Sequence, residues 1–127
     1  MKFERQLQEH LLELYPTAFL PSPWLKYRNC DEEELRWCQP DGLIIDIPHS
    51  TITLIEIKLK HVSTAWWQLQ RLYLPVVRVL FGPRWIYKLC EAVRYHDPAE
   101  PFPVEYEILS TPIPYDRRTF GVYIWRP

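Results

Sequence analysis

Glycine is scarce in this chain, with three residues against thirteen prolines in 127. The connections between elements are therefore rigid, and neither a flexible linker nor an internal repeat is visible. Cysteine is also sparse: Cys30, Cys38 and Cys90 form an odd set without CxxC spacing, which argues against a disulfide framework or a common zinc module and fits a reduced, cytoplasmic setting. No apolar run approaches the length of a membrane span, and the opening Met-Lys-Phe-Glu-Arg-Gln-Leu carries charges where a secretory signal is apolar, so a soluble protein without membrane partners is expected. A surplus of positive charge is missing too. The net charge is −1, so any contact with nucleic acid has to be local rather than a broad basic coat.

What is present is core material. Hydrophobic residues make up 47% and aromatic residues 15%, including six Trp, which favours a folded globule over disorder. A chain of this length buries roughly two-thirds of its unfolded surface as one domain.

Phe3, Leu7, Leu11 and Leu14 fall on one face of a helix over residues 2–15, ended by Pro16. Pro21 and Pro23 make the next link extended, and residues 24–28 read as a first strand. The acidic stretch Asp31-Glu32-Glu33-Glu34 reads as a solvated loop, followed by residues 35–38 leading into a second strand at 42–47 and a third at 52–60. Ser63 or Thr64 is placed to cap a helix starting near Ala65, in which Pro75 imposes a kink or a division. The stretch 85–95 reads as strand or helix, with its β-branched and aromatic residues favouring strand, and a last strand is expected at 120–125. Within the second helix, Trp66 and Trp67 are read as core packing or a dimer contact ahead of a base-stacking role.

The third strand carries the chemistry. In Thr51-Ile-Thr-Leu-Ile-Glu-Ile-Lys-Leu-Lys60 the side chains alternate, so Glu56, Lys58 and Lys60 share one face and Ile55, Ile57 and Leu59 the other. The apolar face is expected to be buried and the charged face open. Upstream, Pro40-Asp41-Gly42 begins an apolar run, and the Pro48-His-Ser-Thr51 turn joins the two strands as a hairpin. Paired in this way, Asp41, Glu56 and Lys58 can hold a divalent metal beside a phosphodiester. The bland alternative is a surface ion pair between Glu56 and Lys58.

Pro40-Asp41 followed by Glu56-Ile57-Lys58 resembles the PD-(D/E)xK nuclease superfamily, whose restriction-endonuclease-like fold includes Holliday junction resolvases and RecB-type nuclease domains. The resemblance implies a single α/β domain, a mixed sheet flanked by helices with an αβββαβ core over about residues 1–95, leaving 96–127 as a C-terminal β extension. It further implies a Mg²⁺- or Mn²⁺-dependent deoxyribonuclease, with structure-selective or junction-resolving endonuclease action, working on DNA as a homodimer. Asp41 and Glu56 would be the carboxylate ligands and the Ile57 carbonyl the third. Lys58 would position or deprotonate the attacking water, or neutralise transition-state charge. Many relatives add a glutamate from the first helix, for which Glu4 is the best placed, and RecB-type members carry a glutamine matched by Gln68. Their tyrosine four residues later is Leu72 here, and Tyr73 follows. Phosphate contacts beyond Lys58 are sought at Lys60, His61 and Arg71. The competing class is a nuclease fold without turnover, serving as a DNA- or protein-binding accessory factor.

Overall fold

The computed structural model describes residues 2–60 and 62–94, together with the backbone of strands at Glu107–Ile108, Ile113–Tyr115 and Arg118–Trp125. His61 and the remaining C-terminal residues lie outside the described residues. A mixed sheet forms the middle layer. Its order is β1 (Phe19–Pro21), β4 (Gly42–Asp46), β5 (Thr51–Lys58), β6 (Ile86–Val93), β9 (Arg118–Trp125) and β7 (Glu107–Ile108), with β8 (Ile113–Tyr115) pairing β9. The neighbours β5 and β6 run parallel, and the other pairs are antiparallel.

Alternation on β5 assigns the two faces. Ile55 and Ile57 pack with Phe3, Leu7 and Leu11 of α1 (Lys2–Leu14), whereas Ile52 and Leu54 pack with Leu69, Leu74 and Val77 of the second helical run. Helices therefore cover the sheet on both sides, the layering by which an α/β domain buries two apolar faces. Leu14, assigned to the buried stripe by its spacing, is instead half exposed at the helix end.

The strand at 24–28 does not enter this sheet. Leu25–Tyr27 (β2) pairs with Arg36–Cys38 (β3) as a separate hairpin, and the sheet's edge is Phe19–Pro21, which the prolines had marked only as a link. Proline tolerates an edge position because no inner ladder needs its missing N–H. Gly42 on β4 lies beneath the Phe19 ring so closely that an added Cβ would overlap it. Gly42→Ala should therefore displace that ring and destabilise the fold by about 1–3 kcal/mol, measurable by chemical denaturation.

The second helical run starts at Ser63 with Val62 at its N-cap and no side-chain cap bond, not near Ala65 behind a Ser or Thr cap. It consists of α2 (Ser63–Trp67), a π-helical turn (Gln68–Tyr73) and α3 (Leu74–Phe81). Pro75 explains the change. It has no N–H to give to the carbonyl four residues back and its ring crowds that carbonyl, so the preceding turn widens. Trp66 packs partly against the core, but Trp67 is 57% exposed. Trp67→Ala should accordingly cost under about 0.5 kcal/mol, against about 2–5 kcal/mol for the fully buried Leu69→Ala; denaturant melts of the two variants compare them directly.

Candidate active site

The carboxyl end of β5 opens into a cavity of about 610 Å³, lined by Glu4, Gln39, Asp41, Glu56 to Lys60, Val62 and Tyr73. Crevices beyond the carboxyl ends of parallel strands are the usual ligand position in α/β sheets. Asp41 sits just before β4, and its Oδ2 accepts the Ile57 N–H at 2.6 Å. A strand residue's N–H and C=O point the same way, so the Ile57 carbonyl also faces the edge where β4 has ended.

Glu56 is not on an open face. It shares its side of β5 with Ile52 and Leu54, is covered by the helical run, and retains 4% exposure. The expected open charged face is thus a buried one that emerges only at Lys58, while Leu59, expected to be buried, is exposed beyond the strand. Lys58 Nζ lies 3.3 Å from Glu56 Oε2, and the Asp41 carboxyl hydrogen-bonds to both Glu56 and Glu4.

This crowding shifts the titrations. Burial, then the charge of Glu56, pushes Asp41 up to about 7, partly offset by the Ile57 N–H. Burial also raises Glu56, against the lowering effect of Asp41 and Lys58, and burial followed by Asp41 raises Glu4. Each of the three carboxyls is thereby biased towards its protonated form. Hard oxygen donors short of positive charge fit Mg²⁺ or Mn²⁺, which need only one or two carboxylates because they keep several waters. Among the described residues no three His, Cys, Asp or Glu side chains converge as a ready-made cation cage, so the fit is to the Asp41–Glu56 pair completed by backbone carbonyl and water.

Of the other sequence candidates, Lys60 lines the cavity, whereas Arg71 is exposed on the helical run and is not among the lining residues. Gln68 does not line it either, and its buried Oε1 has no hydrogen-bond partner among the described residues. Tyr73 does line it. Burial, followed by the charges of Glu56 and Asp41, raises its phenol. In an α-helix positions five apart point about 140° from each other, but the π turn that begins at Gln68 and ends at Tyr73 supplies an extra residue and changes that angle. Sequence reasoning also missed Gln39, and Glu91 on β6, which is directly opposite Glu56, fully buried, and accepts the Val62 N–H at 3.3 Å.

No family model matches this chain, and no curated protein or solved structure matches it either. The site is therefore read from its own geometry. Among the described residues no helix is long and apolar enough to cross a membrane.

Proposed function

We propose that this chain is a metal-dependent deoxyribonuclease that hydrolyses phosphodiester bonds at Asp41, Glu56 and Lys58. The observation that carries the reading is Glu56: a carboxyl 4% exposed, hydrogen-bonded to a second carboxyl and 3.3 Å from Lys58 at the mouth of a cavity. Burying like charges is costly, and such arrangements collect at functional sites. In its support, α1, β1, β4, β5, the helical run and β6 follow one another as αβββαβ once the side hairpin is set aside, as in the restriction-endonuclease-like fold.

Asp41, Glu56 and the Ile57 carbonyl would hold Mg²⁺ or Mn²⁺, which supplies an activated water and offsets charge developing on the phosphoryl group. The chain does the rest. The Ile57 N–H fixes the rotamer of Asp41, and Lys58, held by Glu56, presents a cation where the scissile phosphate enters. Glu4 reaches the Asp41 carboxyl from α1, and Tyr73 closes the cavity from the helical side. DNA is the proposed substrate and a homodimer the proposed assembly.

The test is a panel of duplex, single-stranded, flap and four-way-junction DNA incubated with Mg²⁺, Mn²⁺ or EDTA. Cleavage of at least one substrate, abolished by EDTA, is the expected result. DNA binding with no cleavage in either metal would favour the accessory-factor reading instead.

A further inference from the structure

The β2–β3 hairpin presents an aromatic face that the core does not use. Leu25 and Cys38, directly paired, are buried and anchor the hairpin, so the alternate positions Trp24, Lys26 and Trp37 point outward. Trp24 and Trp37 are 64% and 57% exposed, their rings meet edge to face at 6.4 Å, and Lys26 Nζ stands 5.3 Å from the Trp37 ring centre. Two large rings this close together in water make a surface on which a flat apolar group can lie.

The chain leads from that face to the cavity. Gln39, one residue past the end of β3 and two after Trp37, is itself a lining residue beside Asp41. The join is rigid. Ser22, held at φ 45°, donates its N–H to the Asp41 carbonyl at 3.0 Å, and its own carbonyl accepts Gln39 Nε2 at 2.9 Å. Gln8 Nε2 of α1 donates to both Ser22 Oγ and the Asp41 carbonyl, at 2.7 and 2.8 Å. Four residues of chain from Trp37 to Asp41 span at most about 14 Å, so the ring pair stands a few nucleotides or less from the site.

We propose that Trp24 and Trp37 form a stacking platform for unpaired bases of a nucleic-acid strand whose phosphates enter the Asp41–Glu56 cavity, an inference that rests on the nuclease reading. Stacking requires an exposed base face, which a continuous duplex hides and a single strand, flap or frayed end offers. Charge sets the course of the strand: Lys26 lies over the Trp37 ring, Lys58 and Lys60 lie in the cavity, and the acidic run Asp31 to Glu34 occupies the far tip of the hairpin, where it repels a polyanion.

The experiment measures binding of a labelled mixed-sequence single-stranded DNA and of the same sequence as a blunt duplex by fluorescence anisotropy. EDTA is present so that nothing is cut, and the full chain is compared with Trp24→Ala/Trp37→Ala and Trp24→Phe/Trp37→Phe. The wild type should prefer the single strand. The alanine pair should lower the single-strand-to-duplex affinity ratio about tenfold or more, while the phenylalanine pair keeps most of it. Melting curves confirm that both variants fold. A folded alanine pair with an unchanged ratio overturns the platform, as does a wild type without single-strand preference. Unchanged DNA affinity with a shift from dimer to monomer would also overturn it, making this face a contact between copies. Lys58-dependent cleavage scored separately in Mg²⁺ keeps the two readings apart: if it persists while the ratio is unmoved, only the platform fails. If it is absent while the ratio falls, the nuclease reading fails and a single-strand-binding face remains.

Discussion

Lys58→Ala is expected to lower DNA cleavage about a hundredfold or more, the scale of losing one preorganised charge at a developing oxyanion, while leaving the chain folded. The lysine stands at the end of β5 with 29% of its side chain exposed, so truncation opens no core cavity. Glu56 loses its cation, yet it can take up a proton and remain hydrogen-bonded to Asp41. Asp41→Asn should be at least as damaging to activity and kinder to the fold, because an amide oxygen can still accept the Ile57 N–H. Single-turnover cleavage rates beside thermal melts check both variants. Wild-type rates in Lys58→Ala would reduce that residue to a surface charge.

The second large effect is on stability. Asp41 is raised from an ordinary 3.8 to about 7, and Glu56 and Glu4 are raised with it, so the folded state holds these protons more tightly than the unfolded chain. The stability this gives is complete below about pH 4 and disappears as pH rises through 7, where buried carboxylates face one another and Lys58 offsets part of their repulsion. In EDTA the melting temperature should fall across that window, and Asp41→Asn should flatten the fall. Divalent cations replace the protons. At about a hundred times its dissociation constant an ion contributes about 2.7 kcal/mol, so Mn²⁺ should raise the melting temperature by about 10 °C at pH 8 and by little at pH 5.

The hairpin β4–β5 and its three charged residues were legible because the signals were local. Period-two alternation and a proline-bearing turn fix which residues pair, and pairing brings Asp41 to Glu56. The burial of Glu56 was not legible, since alternation separates two faces but does not say that a helix will cover the charged one. Tyr73 stood one place beyond the motif's tyrosine, where Leu72 falls, and the π segment ahead of Pro75 that sets its position has no local signal. The swap between β1 and the β2–β3 hairpin defeated propensity altogether: Leu25 to Tyr27 looks more strand-like than Phe19 to Pro21, but three residues with proline suffice at an edge already templated by β4. Glu91 became a neighbour of Glu56 only through the parallel β5–β6 register, a long-range pairing that no local pattern encodes.

The claim that Asp41 and Glu56 form a divalent-metal site is met most directly by calorimetric titration of Mn²⁺ into the wild type and Asp41→Asn at pH 6.5, in two buffers of different ionisation enthalpy. Binding to the wild type with release of protons, and its loss in Asp41→Asn, is the predicted result, because an Asp41 titrating near 7 must give up its proton to become a ligand. No binding at millimolar Mn²⁺, or equal binding by the two proteins, would contradict it.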